Sequence, residues 1–323
     1  MAGGLSPSFF LFKTGGVKIK KRLGKVISCF AGLGCGELAL KNCGIEVKEM
    51  YAYEIDKYAE AVNRFHNPET QFLGDITKWE SHKELIGGNV DLIMGGSPCQ
   101  DLSVAGKRAG LNGARSGLVF VFAELVKHYK PRYFFLENVA SMTKADREVI
   151  TELMGVEPLE ITSAPVSAQH RRRLYWTNIP YITPQPQGLT IKDILEDEPK
   201  GVLYYEKERV FLKNSPVNCS TFVRQTGRVD NRTSQGYRIY DINGKLPALD
   251  TRQDRIKIPM PEGSVRSLSN VEMERAFTLP DDYTATGLDN SGSYVDISKT
   301  MRGKMIGNGW VVKVIEQFFR SIE

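Results

Sequence analysis

The sequence is poor in residues that build disulfide frameworks or metal sites. Its five cysteines are an odd number and include no C-x-x-C pair, and its four histidines do not fall at the spacing of zinc ligands. No run approaches the roughly 18 apolar residues that a membrane span needs. Residues 1–24 also lack the apolar core and the small-residue cleavage site of a secretory signal. These absences argue against a disulfide scaffold, a structural metal and a membrane or secreted protein, and they favour the cytoplasm.

The remaining composition is that of a globular chain. Its 323 residues, 41% hydrophobic and 25% charged, can bury a large domain and a smaller one. The formal charge of +5 is only mildly basic, so the location of the positive residues matters more than their sum. Residues 1–24, which contain Lys18, Lys20, Lys21 and Arg22, are expected to be a loose basic leader.

A glycine-rich turn follows the first strand-like run. Residues 25–30 are predicted to form a short buried strand, Gly32, Gly34 and Gly36 follow, and residues 37–42 have helical character. Such a turn lets the backbone approach a cofactor at the amino end of a helix. Because the G-x-G-x-G spacing is not the dinucleotide fingerprint, a purely structural turn is the alternative.

Acidic residues close the next two predicted strands. Glu54 follows residues 47–53, about 20 residues beyond the glycines, where a carboxylate can accept hydrogen bonds from ribose hydroxyls. Asp75 lies at the end of the short strand of residues 72–76 and could hold an adenine amino group. Either one alone is an ordinary solvated carboxylate. Together with the glycine turn they favour a cofactor that contains adenosine.

A single cysteine is placed in a loop of small residues. Residues 90–94 are predicted to form a strand that leads into residues 95–100, where two glycines permit tight turning and Pro98 fixes the backbone before Cys99. Cys99 should therefore point outward as a nucleophile does, and a buried structural thiol is the alternative. The basic, glycine-rich residues 100–116 predict a lid that clamps an anionic polymer, unless they form an ordinary surface loop.

A second reactive group is expected at the end of another core strand. Residues 133–136 are predicted to be a buried strand that ends in Glu137, where a carboxylic acid could donate a proton. Three adjacent arginines follow later in the chain. If their segment is extended, Arg171 and Arg173 share one face while Arg172 faces away. A solvated patch or a phosphate contact is the ordinary role of such a run.

In this order the residues resemble the DNA (cytosine-5) methyltransferases, and the matches run from Phe30 to Phe319. Two positions depart from the family pattern. Cys35 stands where many members have a second consecutive glycine, and Ser97 stands where phenylalanine is frequent. Neither departure removes a reacting group. The matching motifs are residues 30–34 for the cofactor, 98–100 for the nucleophile, 137–139 for the acid, 169–173 for Q-x-R-x-R, and 266–283 and 307–309 for the last two.

The resemblance implies an α/β fold of the Rossmann-like, S-adenosylmethionine-dependent methyltransferase type. Its sheet would be mixed but mostly parallel, with helices on both faces, and a smaller target-recognition domain would be attached. The cofactor would be S-adenosyl-L-methionine. Its pocket would contain Phe30, Gly32, Leu33, Gly34, Glu54, Ile55, Asp75, Ile76, Gly96, Pro98, Leu118 and Asn308.

The resemblance also implies a reaction, the methylation of carbon 5 of a cytosine flipped out of duplex DNA. Cys99 would add to carbon 6, a step of covalent catalysis. Glu137 would protonate or hydrogen-bond ring N3 during this addition. Arg171 and Arg173 would hold the O2 carbonyl of the base and a nearby phosphate. No metal, membrane or obligate protein partner is implied.

A target-recognition domain is expected in the middle of the chain. The composition changes near Pro180, which predicts a catalytic domain of residues 25–181 and 263–323 around a recognition domain of residues 182–262. Basic residues outnumber acidic ones between residues 224 and 257, which favours phosphate binding. The expected DNA contacts are Gln100, Ser103, Arg224, Arg228, Arg232, Arg238 and Arg252.

Three other functions remain open from the residues alone. An RNA cytosine-5 methyltransferase would use the same Cys99, and a catalytically silent homologue would only bind DNA. An unrelated Rossmann oxidoreductase would need a hydride-transfer site that the motifs do not suggest. The expected enzyme is of prokaryotic or phage type and associates with the nucleoid through DNA, and its place in restriction-modification or in a solitary role depends on genomic context.

Overall fold

The computed structural model describes residues 21–98, 117–220, 222–232, 234–252 and 256–323. Strands and helices alternate in the first half of the chain, and short strands dominate between residues 200 and 270. The strands in these ranges are β1 (Lys21–Cys29), β2 (Ile45–Tyr53), β3 (Gln71–Phe72), β4 (Val90–Gly96), β5 (Tyr133–Val139), β6 (Leu159–Thr162), β7 (Gln169–His170), β8 (Arg172–Thr177), β9 (Tyr204–Tyr205), β10 (Val210–Asn218), β11 (Arg224–Val229), β12 (Arg238–Tyr240), β13 (Leu246–Pro247), β14 (Lys257–Pro259), β15 (Val265–Ser267), β16 (Thr286–Leu288) and β17 (Tyr294–Asp296). The helices are α1 (Cys35–Asn42), α2 (Lys57–His66), α3 (Lys83–Ile86), α4 (Leu118–Tyr129), α5 (Lys144–Met154), α6 (Asn270–Ala276), α7 (Lys299–Asn308) and α8 (Val312–Phe319).

The main sheet has seven strands in the order β3-β2-β1-β4-β5-β8-β6. The first five are parallel, and β8 runs antiparallel to both β5 and β6. The carboxyl halves of its central strands are largely buried because both faces of the sheet are covered. Val26 packs with α1 and α8, whereas Ile27, the next residue of β1, packs with α4 and α5. The expected mixed, mostly parallel sheet with helices on both faces is confirmed.

The parallel strands bring several predicted residues to one edge of this sheet. Since β1, β2, β4 and β5 run in the same direction, the segments that follow them lie at the same edge. The glycine turn follows β1, Glu54 follows β2, and Gly96 is the register partner of Glu137 across β4 and β5. Several of the predicted site residues therefore lie at this carboxyl edge.

A second sheet has six strands in the order β10-β11-β12-β14-β15-β9. Its own buried centre is small and consists of Val229, Ile239 and Val265. Its last strand in sequence, β15, lies a few residues beyond residue 262, the expected end of the recognition domain. The division of the chain into a catalytic and a recognition domain stays a prediction. The loose leader expected for residues 1–24 is wrong at its end, because residues 21–24 belong to β1 and Leu23 is buried.

The end of the chain returns to the main sheet. Val312, Ile315, Phe318 and Phe319 are buried in α8, as their spacing predicts, and the rings of Phe318 and Phe319 lie 5.1 and 5.5 Å from that of Phe135 in β5. The sequence predicts one helix from residue 308 to 319, and this start is wrong. α7 ends at Asn308 and α8 begins at Val312, because the backbone at Gly309 is extended, with φ −74° and ψ 175°.

None of the helices in these ranges is long and apolar enough to cross a membrane.

Candidate active site

The glycine turn after β1 is tightly closed and needs its glycines. Gly32 and Gly34 have φ values of 56° and 85°, in the left-handed region that favours glycine. A Cβ on Gly34 would lie 2.8 Å from Asn63 Oδ1, so a side chain would also collide with α2. Phe30 has a positive φ of 56° as well. The turn thus presents backbone at the amino end of α1, while Leu33 is buried in the core beneath it.

Glu54 binds the turn directly. Its Oε2 accepts a hydrogen bond from Gly32 N at 2.8 Å, and its Oε1 accepts from Ile55 N at 2.8 Å and Asp56 N at 2.7 Å. Burial raises the pKa of Glu54, and these three backbone donors oppose that effect. The neighbouring Ile55 side chain is 77% exposed. The carboxylate predicted for ribose therefore also fixes the backbone of the glycine turn, next to an exposed apolar surface.

The other predicted cofactor residues differ in their contacts and in their exposure to solvent. Asp75 caps a short helix, since its Oδ1 accepts from Thr77 N and Thr77 Oγ1 at 2.9 Å, and these bonds lower its pKa. Ile76 is buried, Pro98 and Leu118 are half-buried, and Asn308 is exposed at the end of α7. α7 is tied to the turn after β2, because Lys304 Nζ lies 2.7 Å from Asp56 Oδ2.

Glu137 is buried and held by two donors. Arg173 Nε lies 2.7 Å from its Oε1, and Trp310 Nε1 donates to its Oε2 at 3.1 Å. The carboxylate is 8% exposed. The next residue, Asn138, donates to Ser97 Oγ at 2.8 Å, which ties the end of β5 to the segment that leads to residue 99. An acid and a guanidinium therefore stand beside the end of β4.

The predicted nucleophile Cys99 and the DNA contacts Gln100 and Ser103 lie outside the described residues. The structure describes the chain up to Pro98 and again from Gly117. The cysteines inside the described ranges are free thiols. Among them Cys35 is buried below the glycine turn, where desolvation raises its pKa to about 12.

The three adjacent arginines have three different environments. Arg171 is buried, and its guanidinium donates to the carbonyl oxygens of Leu249 at 2.8 Å and Gly307 at 3.2 Å. Arg173 pairs with Glu137, while Arg172 pairs with Glu160 on the opposite face with 58% of its side chain exposed. The alternation predicted for the segment is present, but the side chains of Arg171 and Arg173 reach different partners. The predicted role of Arg171 at the base or phosphate stays a prediction.

Arginines also lie side by side on the second sheet. Arg228 in β11 and Arg238 in β12 are direct register partners, which is unfavourable for like charges without an anion nearby. Arg224 lies 3.3 Å from Asp241, Arg252 lies 3.1 Å from Asp250, and the Arg232 guanidinium lies over the Tyr237 ring. All five predicted arginines thus belong to or border this sheet. No group of three or more His, Cys, Asp or Glu residues in the described part of the chain could hold a metal ion.

Trp310 is a residue that the sequence analysis missed. It lies between α7 and α8, directly after the motif of residues 307–309, and the chain has only three tryptophans. A tryptophan beside a family motif was a possible signal. Nothing in the local sequence, however, indicates that its indole reaches Glu137.

Comparison with known proteins agrees with the geometry. The family model "C-5 cytosine-specific DNA methylase" matches residues 24–156. The type II methyltransferase M.HhaI of Haemophilus parahaemolyticus is 28% identical, over 95% of this chain and 96% of that protein. The orphan methyltransferase M.Rho11sI of Bacillus phage rho11s is 40% identical over 41% of this chain, but that match spans only 26% of the phage protein.

Solved structures show the same fold. A structure titled "S. pombe Dnmt2 methyltransferase" and one of a prophage-encoded DNA modification methyltransferase from E. coli each superpose with a TM-score of 0.62. Each covers 92% of this chain and 97% of the other at 17% identity, which supports the fold alone.

The chain contains a C-5 cytosine-specific DNA methylase domain at residues 24–156. Its reaction is methylation of carbon 5 of cytosine in DNA, which requires a methyl donor.

Proposed function

We propose that this chain transfers a methyl group from S-adenosyl-L-methionine to carbon 5 of a cytosine flipped out of duplex DNA, with Cys99 as the nucleophile. The observation that carries the assignment of roles is the buried Glu137 carboxyl group beside the end of β4. It lies next to the segment that delivers Cys99, and Arg173 lies 2.7 Å from it. An acid beside a cation, at the end of the strand that precedes Cys99 in sequence, suits addition of a thiol to a pyrimidine ring.

The residues at the glycine turn fit the proposed donor. Gly32 and Gly34 bring backbone close to a ligand, and Glu54 has oxygen lone pairs beyond those used by its backbone donors. Ile55 offers an exposed apolar side chain for an adenine ring, and Asp75 follows the adjacent strand β3. When bound there, S-adenosyl-L-methionine would supply an electrophilic methyl group.

The protein side of the reaction follows from these positions. The Cys99 thiolate adds to carbon 6 of cytosine, and the Glu137 carboxyl gives its proton to ring N3, so that carbon 5 becomes nucleophilic. Arg173 keeps Glu137 in place and offers N–H groups to the O2 carbonyl. After carbon 5 has been methylated, a base or water removes its proton, the bond between Cys99 and carbon 6 breaks, and N3 returns its proton.

The arginines of the second sheet would hold the DNA. Arg224, Arg228, Arg232, Arg238 and Arg252 supply positive charge on or beside this sheet, and the facing pair in β11 and β12 favours a phosphate between them. The bacterial and phage relatives support a cytoplasmic, nucleoid-associated enzyme of prokaryotic or phage type.

The test is transfer of labelled methyl from S-adenosyl-L-methionine to duplex DNA, with transfer RNA as a parallel substrate and bisulfite sequencing of the DNA product. Cys99→Ser should lower methyl transfer by more than about 10³-fold, because the covalent step is lost. Cys219→Ser removes an exposed free thiol and should keep the wild-type rate. Methylation of transfer RNA without methylation of duplex DNA would show that the substrate is RNA and not DNA. Equal activity of Cys99→Ser and wild type would refute the proposed nucleophile.

A further inference from the structure

Glu137 is anchored from two distant parts of the chain. Arg173 in β8 approaches Oε1, and Trp310, which is 173 positions away in sequence, donates its indole N–H to Oε2. Arg173 belongs to a motif already connected with the reaction. Trp310 supplies the second anchor.

We propose that Trp310 is a positioning residue for the acid of the reaction, an inference that rests on the proposed function. An indole N–H can only donate, so it must lie against a lone pair of Oε2. Oε2 has a second lone pair, which stays available for the proton that moves to cytosine N3. With Arg173 at the other oxygen, the plane of the carboxyl group is fixed before the base arrives, which is how preorganised groups lower a barrier.

The indole is itself held in place on three sides. Its ring lies 5.4 Å from that of Phe135 at an angle of 71°, an edge-to-face contact. A Cβ on Gly36 would come within 3.2 Å of Trp310 Cζ3. A Cβ on Gly96 would lie 2.7 Å from Trp310 Nε1 and 2.8 Å from Glu137 Oε2. Gly96, predicted to contact the cofactor, therefore also leaves the space in which this hydrogen bond forms.

Trp310 consequently touches α1, which begins at the glycine turn, and the acid at the same time. Its role could be confined to packing, or to forming a wall of the cofactor pocket. Loss of packing would lower the melting temperature, and loss of a pocket wall would raise KM for S-adenosyl-L-methionine. Loss of positioning would instead lower kcat.

Trp310→Phe tests the hydrogen bond, because phenylalanine keeps an aromatic ring against Phe135 but has no N–H. We expect kcat for DNA methylation to fall at least about tenfold, with KM for S-adenosyl-L-methionine within about twofold of wild type. Release of tritium from carbon 5 of cytosine, measured without the methyl donor, should slow by a similar factor, since that exchange also needs the proton at N3. Trp79 is a buried tryptophan that packs against His128 and Tyr129 of α4. Trp79→Phe is the matched control and should leave both rates unchanged.

A double-mutant cycle with Glu137→Gln shows whether Trp310 acts through Glu137. If it does, Trp310→Phe should cost less than about twofold in the Glu137→Gln background. Multiplicative losses would overturn the proposal, as would a raised KM for S-adenosyl-L-methionine at unchanged kcat, which marks a cofactor wall. The proposal would also be overturned if a lower melting temperature of Trp310→Phe accounted for its loss of methylation rate. Wild-type methylation of DNA in this assay tests the proposed function separately.

Discussion

Arg171 belongs to the motif of residues 169–173, and its side chain connects separate segments of the fold. Its buried guanidinium donates to carbonyl oxygens of Leu249, Gly307 and Gly309, and it lies over the Phe277 ring at 5.1 Å. These partners belong to three separate segments after β8. A planar group with five donors suits such a junction, whereas a lysine could not reach all of the carbonyls in this geometry.

Arg171→Ala should therefore lower the free energy of unfolding by about 2–4 kcal/mol, since several buried carbonyls lose their donor. Urea unfolding followed by circular dichroism measures this change. Arg172→Ala removes an exposed arginine from the same strand segment and should change stability by less than about 1 kcal/mol. Similar values for the two variants would contradict a structural role for Arg171.

At the scale of elements, the decisive contact is that between α7 and the segment after β13. A Cβ on Gly307 would lie 2.3 Å from the backbone carbonyl carbon of Asp250 and 2.7 Å from Thr251 N. α7 thus approaches this backbone more closely than any residue with a side chain would allow. Arg171 lies at the same contact between α7 and the segment after β13. Its hydrogen bonds to the carbonyl oxygens of Leu249 and Gly307 require these two segments to be close together.

Gly307→Ala should push α7 and the segment of residues 248–252 apart. Alanine favours a helix over glycine by about 1 kcal/mol, so an isolated helix would gain stability. Here we expect a net loss of about 1–3 kcal/mol in unfolding free energy, from overpacking against backbone. Thermal unfolding of this variant is compared with that of Gly88→Ala, where a Cβ meets nothing within 4 Å and no loss from crowding is expected. A stabilised Gly307→Ala protein would show that the contact relaxes without cost.

At the scale of the whole molecule, a buried carboxyl connects stability to pH. Glu37 in α1 is 2% exposed, and desolvation raises its pKa above the ordinary value of 4.5, against smaller lowering contributions from Ser28 and Asn63. Between 4.5 and its higher pKa in the folded state, the folded protein binds more protons than the unfolded chain. The contribution of Glu37 to stability is therefore complete below this window and is lost as pH rises through it.

Glu37→Gln removes this titration. The variant should gain stability relative to wild type as pH rises above 4.5, by about 1.4 kcal/mol for each unit of pH up to the pKa of Glu37 in the folded protein. Urea unfolding at several pH values gives the comparison, with Glu84→Gln, at an exposed position on α3, as the control that should follow the wild-type curve. A constant difference between Glu37→Gln and wild type across this range would contradict the assignment.

Much of the site follows from sequence, because strands and the residues that close them are local features. Short apolar stretches, such as residues 50–53 and 133–136, mark parallel strands, and parallel strands gather their carboxyl ends at one edge. That reasoning brings the glycine turn, Glu54 and Glu137 together before any coordinates are known. The assignment of Cys99 and of the DNA contacts stays a prediction of the same kind.

The α/β class, the resemblance to the DNA (cytosine-5) methyltransferases and the sheet edge of the predicted site residues all follow from the sequence. Three features become visible only in the folded protein: Trp310 anchors Glu137, Arg171 binds backbone carbonyls, and the last helical segment is interrupted at Gly309. The first two contacts join residues 173 and 136 positions apart, and no local pattern encodes which distant donor reaches which acceptor. Such pairings are fixed by packing of α7 and α8 against the sheet, because buried polar groups must find partners wherever the folded backbone brings them.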